Sequence, residues 1–239
     1  MASLQAAIEC IQAFRETKGV RQTAMKDLSK LYEAILIGDN AAASEVTQAA
    51  LAAGTDPGTL VTDYMIPAMD EVGRRFESEE YFVPDLLLSG RAMKAALDHL
   101  RPLLAATGAQ PAGRVVIGTV KGDLHDIGKN LVAAMLEGGG FEVTDLGTDV
   151  APQKFVEAIS TKNANLVCLS ALLTVTMPAM RTTVEALKSA GVRDRVKVMI
   201  GGAPVTAQYA QEIGADGYSE NASAAVALAR RLASDAPHA

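Results

Sequence analysis

The sequence has no tryptophan, only 4% aromatic residues and only two cysteines, Cys10 and Cys168. Few aromatic side chains argue against a stacking surface for nucleic-acid bases or sugars. Two cysteines without a CxxC pair exclude a disulfide framework, so we expect a reducing, cytoplasmic location. No apolar run approaches the ~18–20 residues that a membrane span needs. The first residues lack the basic segment of a secretory signal.

What the chain does have is the composition of a globular protein. Its 239 residues are 49% hydrophobic and 21% charged, enough for one large or two modest domains. The formal net charge of -6 opposes binding to nucleic acid. We therefore expect neither a nucleic-acid partner nor a membrane partner.

The first ~105 residues are rich in Ala, Leu, Met, Glu and Lys, which predicts helix almost throughout. Pro67 falls inside the fourth helix and should kink or divide it. Short loops between helices indicate antiparallel neighbours, and hence a helix bundle. The predicted helices are Leu4–Glu16, Met25–Ile37, Ala41–Ala53, Pro57–Phe76 and Val83–Leu104.

After a small-residue linker, Ala105–Gly113, short β-branched runs alternate with helices. This alternation predicts a flavodoxin-like (Rossmann-like) α/β domain with a five-stranded parallel sheet in the order 2-1-3-4-5. The predicted domains are an extension (1–25), a helical cap (26–105), a linker (106–113) and an α/β domain (114–239). The predicted strands are 114–120, 141–146, 166–171, 196–201 and a short one near 215–218.

In such sheets, ligands bind beyond the carboxyl ends of the strands, where strands one and three separate. The loop after strand one contains Asp123 and His125, spaced so that the carboxylate can orient the imidazole as it does for metal-ligating histidines. A lone histidine here is more often a surface residue. A phosphate loop is excluded because five residues separate Gly122 from Gly128 and Asn130 replaces the Ser or Thr. A zinc hydrolase needs more His or Cys.

Two further segments lie at the same edge of the predicted sheet. Ser170, Thr174 and Thr176 follow strand three, where they could equally cap the next helix. Gly201 and Gly202 follow strand four, where they form either a tight turn or a bare wall for a flat ligand.

In this order, Asp-x-His-x-x-Gly (Asp123, His125, Gly128), Ser-x-Leu (Ser170, Leu172) and Gly-Gly resemble the cobalamin-binding domain of corrinoid methyltransferases. The segment MIPAMDEVGRRFESEEYFVPDLLLSGRAMKAAL (65–97) resembles the helical cap before that domain in cobalamin-dependent methionine synthase and in small corrinoid proteins. The resemblance covers about residues 26–235.

The resemblance implies a role for each matching residue. His125 would be the lower axial ligand of cobalt, and Asp123 and Thr176 would complete a hydrogen-bonded relay. Ser170 and Thr174 would contact the nucleotide tail, in a channel lined by Gly201 and Gly202. The remaining implied cofactor-binding residues are Asp126, Gly128 and Leu172 in the motifs, and Phe76, Val83 and Leu86, which would cover the upper face unless they are only cap core.

The resemblance also implies a function. The chain would hold cobalamin, as cob(I)alamin or methylcobalamin, with its own base displaced by His125, and would carry methyl groups without being an enzyme on its own. A substrate:corrinoid methyltransferase would load it, a methyltransferase using tetrahydrofolate or coenzyme M would unload it, and a reductive activator would maintain it. Three alternatives stay open: a cobalamin-responsive regulator, an adenosylcobalamin mutase subunit, and a flavodoxin-like domain without corrinoid.

Overall fold

The computed structural model describes residues 28–108 and 110–234. The predicted helix Leu4–Glu16 and the predicted extension 1–25 lie outside the described residues. Within these two ranges, no helix is both long enough and apolar enough to cross a bilayer.

Within residues 28–108, five helices form the cap, as the composition of the first half predicts. Two of them begin where the sequence places a capping aspartate: Asp39 Oδ1 accepts the Ala42 N–H at 2.9 Å, and Asp56 Oδ2 accepts the Thr59 N–H at 2.8 Å. Each carboxylate thereby satisfies a donor that the first turn leaves unpaired. The helices are α1 (28–36), α2 (Asn40–Ala52), α3 (Pro57–Leu60), α4 (Ile66–Glu77) and α5 (Val83–Thr107).

The predicted interruption at Pro67 is present as a widened turn. A π-helical turn, Val61–Met65, separates α3 from α4, and the Ile66 N–H donates to the Val61 carbonyl five residues back. Proline has no N–H, and its ring clashes with the carbonyl four residues earlier. The wider turn ends at Met65, so Pro67 falls in the first turn of α4, where a missing N–H is tolerated.

The second half is the predicted α/β domain. Each strand ends within about two residues of its predicted boundary, the usual uncertainty of helix and strand ends. The strands are β1 (Arg114–Thr119), β2 (Glu142–Asp145), β3 (Leu166–Ser170), β4 (Lys197–Gly201) and β5 (Gly217–Tyr218), and the helices are α6 (Ile127–Gly138), α7 (Pro152–Lys162), α8 (Pro178–Ser189), α9 (Ala207–Ile213) and α10 (Ala222–Ser234).

The five strands are all parallel and lie in the order β2-β1-β3-β4-β5, which confirms the predicted topology. Ile117, Cys168 and Met199 face α6 and α10, whereas Val116 and Val167 face the opposite core. Both faces of the sheet are thus covered by helices, as parallel sheets require.

The cap packs directly on the α/β domain, because one hydrophobic core contains cap residues together with the α6 and α10 face of the sheet. Glycine permits this close approach: a Cβ on Gly138 would lie 2.7 Å from Cγ of Met69. Arg230 Nη1 also pairs with Asp70 Oδ1 at 2.9 Å across the same contact. Helix α5 ends at Thr107, so the predicted linker 106–113 begins within its last turn.

Candidate functional site

The loop after β1 carries a fully buried carboxylate, Asp123. Its Oδ1 lies 2.7 Å from Nδ1 of His125 and accepts the backbone N–H of the same residue at 3.1 Å. The Thr119 hydroxyl donates to the His125 carbonyl at 2.8 Å. The histidine is therefore oriented through both its ring and its backbone.

The loop after β3 holds the other oxygen of the same carboxylate. Asp123 Oδ2 accepts the Leu172 N–H at 2.8 Å, the Leu173 N–H at 3.3 Å and the Thr176 hydroxyl at 2.6 Å. Because β1 and β3 are neighbours in the sheet, their carboxyl ends bring the two loops into contact. Asp123, His125 and Thr176, which the resemblance groups together, form one hydrogen-bonded unit.

These contacts decide the charge of Asp123 and the tautomer of His125. Burial raises the pKa of Asp123, but the hydrogen bonds from Thr176, Leu172 and His125 lower it by more, so this pKa lies well below its ordinary value. An ionised carboxylate only accepts hydrogen bonds, so Nδ1 of His125 must carry the proton. Nε2 therefore keeps its lone pair free for a metal.

A cavity of about 540 Å³ lies beside the half-exposed imidazole of His125. Ile117, Cys168 and Met199 of the sheet form one wall, while α6 and the start of α10 form others. Phe76 and Val83 reach it from the cap. Its size falls in the ordinary range for small-molecule sites, and its walls are mostly apolar.

The structure brings most of the proposed cofactor residues to this cavity, but not all of them. Asp123 and Thr176 lie behind the imidazole, in contact with its Nδ1 side. Thr174 is exposed and outside the cavity. Leu86 is fully buried in the cap core, so it does not face the cavity as Phe76 does. Of the residues proposed from the sequence, those that line the cavity are Phe76, Val83, His125, Asp126, Gly128, Ser170, Leu172, Gly201 and Gly202.

Gly201, the last residue of β4, and Gly202, which follows it, are required by close backbone contacts. Gly202 has a φ of +132°, and a Cβ there would lie 1.9 Å from the Ala171 carbonyl oxygen. A Cβ on Gly201 would lie 3.2 Å from the Ser219 carbonyl oxygen. Glycine at these positions lets the loops after β3, β4 and β5 meet along the cavity wall.

Several residues of this site were not among those predicted from the sequence. Leu124, next to His125, lines the cavity with a side chain that is 73% exposed. Lys129 also lines it, and its buried ammonium pairs with Asp145 at the end of β2. An exposed leucine and a lysine on a helix have no distinctive pattern in a sequence. The position of Lys129 inside the GKN segment after the Asp-x-His motif is the one signal that could have drawn attention to it.

The donor set fits cobalamin. Among residues 28–108 and 110–234, no group of three or more His, Cys, Asp or Glu side chains could enclose a metal ion. A single imidazole can hold a metal when other ligands fill the remaining coordination positions, as a corrin macrocycle does. The apolar cavity beside His125 has room for part of such a flat ligand, and Gly201 and Gly202 leave one wall free of side chains.

Comparisons with known proteins point to the same cofactor. Two family profiles match, both described as "B12 binding domain", one over residues 28–101 and one over residues 113–227. Dimethylamine corrinoid protein 1 of Methanosarcina acetivorans is 46% identical over 74% of this chain and 84% of its own length. Trimethylamine corrinoid protein 2 of Methanosarcina mazei is 45% identical over 84% of this chain and 93% of its own.

Solved structures agree as well. A cobalamin-binding protein from Desulfitobacterium hafniense DCB-2 matches with a TM-score of 0.69 and 39% identity, over 86% of this chain and 98% of that one. A chain of the methanol:cobalamin methyltransferase complex of Methanosarcina barkeri matches with a TM-score of 0.78 and 30% identity, over 87% and 80%. The two profiles and these relatives show that the chain belongs to the family of cobalamin-binding corrinoid proteins.

Proposed function

We propose that this corrinoid protein carries methyl groups between methyltransferases, with Nε2 of His125 as the lower axial ligand of cobalt. One observation carries the proposal: a buried, ionised carboxylate holds Nδ1–H of His125 while the ring borders the cavity. A histidine with only a structural role gains nothing from a free Nε2 at the edge of a large apolar cavity. Metal-bound histidines have this arrangement as a rule.

When bound, cobalamin supplies a cobalt centre that accepts a methyl group and passes it on. Asp123 keeps the proton on Nδ1 and so keeps Nε2 basic. Thr176 and the Leu172 N–H fix the carboxylate, so the imidazole is held in one orientation without reorganisation. On the His125 side, the chain therefore orients the imidazole and keeps the proton on its Nδ1.

On the opposite side, Phe76 and Val83 supply apolar surface that excludes water. A partner enzyme can reach the cofactor only if the cap moves aside, and we place the hinge at residues 105–113. Such a movement has to break the ion pairs of Asp70 with Arg230 and of Arg101 with Glu137, and the hydrogen bond that the Ser223 hydroxyl donates to Glu77 Oε1 at 2.9 Å. Opening also exposes part of the hydrophobic core that the cap shares with α6 and α10, so a docking partner has to offset the cost of that exposure.

We infer that the methyl donor is a methylated amine. Relatives named as dimethylamine and trimethylamine corrinoid proteins are 42% to 48% identical to this chain. The structural relative from the methanol:cobalamin methyltransferase complex is 30% identical. A substrate-specific methyltransferase would load the protein, a second one using tetrahydrofolate or coenzyme M would unload it, and a reductive activator would restore cofactor lost to oxidation.

The axial ligand is tested by adding hydroxocobalamin to the full-length apoprotein. We expect the electron paramagnetic resonance spectrum of the Co(II) form to show splitting by one axial nitrogen, and we expect this splitting to change when the histidines of the protein carry ¹⁵N, because the base of cobalamin itself would give the same splitting without a label. His125→Ala should lose this isotope-sensitive splitting and still bind cobalamin through the cavity. His99→Gln is the matched control, because His99 lies in the cap and bonds to Ser44 and Gln48 instead. Persistence of the isotope-sensitive splitting in His125→Ala would disprove the assignment.

Methyl transfer is tested with the reduced, cobalamin-loaded protein and separately purified methyltransferases for mono-, di- and trimethylamine and for methanol. We expect one of the amine enzymes to methylate the bound cofactor, and the methanol enzyme to be slow. No methylation by any of them, together with turnover of adenosylcobalamin, would favour a mutase subunit. No methylation together with a ligand-dependent change of partner would favour a regulator.

A further inference from the structure

Asp149, in the loop after β2, contacts three consecutive residues of the loop that leads to His125. Its Oδ1 accepts the Gly122 N–H at 2.8 Å, and its Oδ2 accepts the Lys121 ammonium at 2.9 Å. Its own N–H donates to the Asp123 carbonyl at 2.9 Å. No sequence motif marks Asp149, and neither axial ligation nor the cavity uses it.

The backbone at both ends of this contact is unusual. Asp149 has a φ of +53°, in the left-handed region that non-glycine residues rarely adopt, and Gly122 has a φ of +85°. A bridge between Val120 and Val150 fixes the chain immediately beside Asp149. Residues held in such a conformation are found where the surrounding structure needs that side chain in one place.

We propose that Asp149 is a positioning residue that holds Gly122 and Asp123 so that the carboxylate of Asp123 meets Nδ1 of His125. This inference rests on the proposed function of His125. Two of the three bonds are the essential ones: the bond from the Gly122 N–H to Oδ1 of Asp149, and the bond from the Asp149 N–H to the Asp123 carbonyl. They join Asp149 to the residues on either side of the Gly122–Asp123 peptide bond. The pair with Lys121 is solvent-exposed on both sides, and such pairs contribute little.

Variants can separate the effect of the Asp149 side chain from the effect of its backbone conformation. Asp149→Gly removes the acceptor of the Gly122 N–H and relieves the left-handed strain at once. Asp149→Asn keeps an acceptor and a residue type that tolerates positive φ. Lys121→Met removes only the exposed ion pair. If conformation alone mattered, Asp149→Gly would be harmless.

The experiment loads each full-length variant, with its histidines labelled with ¹⁵N, with cobalamin and measures the isotope-sensitive axial nitrogen splitting of the Co(II) form, the Kd for hydroxocobalamin and the melting temperature. We expect Asp149→Gly to weaken imidazole ligation by about tenfold, as loss of an outer partner of a metal ligand does. Asp149→Asn and Lys121→Met should keep the wild-type splitting. If Asp149→Gly does not melt cooperatively, Asp149→Ala replaces it.

The outcomes distinguish this inference from the proposed function. Wild-type protein without nitrogen splitting would overturn the role of His125, and the role of Asp149 with it. Wild-type splitting that persists in Asp149→Gly, even with a lower melting temperature, would overturn only the role of Asp149. Loss of splitting in Asp149→Gly and its return in Asp149→Asn would establish Asp149 as a positioning residue.

Discussion

The two sides of the cavity are built on different principles. On the His125 side, five donors converge on one buried carboxylate, at distances of 2.6 to 3.3 Å. On the cap side, Phe76 and Val83 contribute apolar surface, and both are partly exposed. The His125 side depends on individual hydrogen-bonding atoms, whereas the cap side depends on the area of apolar surface.

This difference follows from what each side must do. Holding a metal ligand in one tautomer and one orientation needs directed hydrogen bonds, which are lost if an atom changes type. Excluding water needs only apolar volume, and hydrophobic contacts are not directional. Substitutions on the His125 side should therefore have large effects that depend on the exact atoms changed. Substitutions on the cap side should have smaller effects that vary with side-chain size.

The largest effect is expected for Asp123→Asn. The amide places an NH₂ group where the carboxylate accepts from N–H or O–H donors, so at least one buried donor loses its partner. We expect the free energy of unfolding to fall by about 2–3 kcal/mol, with loss of the axial nitrogen splitting. Chemical denaturation measures the first and electron paramagnetic resonance the second. Asp126→Asn, at an exposed neighbour, should leave stability nearly unchanged.

Substitutions of Thr176 test whether a single hydroxyl on the His125 side contributes to stability and to axial ligation. Thr176→Val keeps the shape and removes the 2.6 Å bond to Asp123, which should lower the free energy of unfolding by about 1.5–2 kcal/mol. Thr176→Ser keeps the hydroxyl and should retain the nitrogen splitting. Equal stability of the valine and serine variants, measured by urea denaturation, would contradict a directed role for this hydroxyl.

Phe76 tests the cap side. Phe76→Ala should speed photolysis of the methylated protein by less than tenfold, which corresponds to under about 1.4 kcal/mol, because Val83 still covers the cavity. Phe76→Leu should lie between alanine and wild type if area is what counts. Photolysis rates that do not follow side-chain size would show that Phe76 serves only the core of the cap.

The smallest effect concerns the cap's surface charges. Hydrogen bonds from Arg74 and then Arg75 lower the pKa of Glu71 to about 2. A carboxyl group with a lowered folded-state pKa stabilises the protein at higher pH, and this contribution disappears as the pH falls from about 4.5 towards 2.

Glu71→Gln should therefore flatten the acid dependence of the melting temperature slightly, because its ion pairs with Arg74 and Arg75 lie at the surface, where solvent screens them. Asp123 has a lowered pKa too, so Asp123→Asn should flatten the same acid limb more strongly. Glu45→Gln, at an exposed position of α2, is the control. A larger change in Glu71→Gln than in Asp123→Asn would reverse the comparison between the two sides.

The elements of the fold could be predicted because their signals are local. β-branched runs separated by helical segments predict the five strands, and the spacing of a parallel α/β unit leads to the observed strand order. Pro67 marked an interruption, since the missing N–H acts within one turn. The motif with Asp123 and His125 could be found because the two residues are only two positions apart.

Residues far apart in sequence could not be assigned in the same way. Phe76 and Leu86 are both apolar residues on cap helices, but one borders the cavity and the other is fully buried in the cap core. Thr174 and Thr176 are hydroxyl residues two positions apart, but only Thr176 reaches Asp123. The packing of the cap helices and the path of the loop after β3 decide these differences, so they cannot be predicted from the hydropathy of the sequence.

By itself, the sequence determined that two domains follow one another, that the second is a parallel sheet, and that a carboxylate and an imidazole share one loop. Periodicity and short-range spacing carry this information, because they act within a few residues. Only the tertiary structure decided that Leu172, Thr176 and Asp149 hold that loop, and that the cap reaches it with Phe76. Those contacts join residues about 25 to 50 positions apart, and they exist only once the strands have paired and the cap has packed.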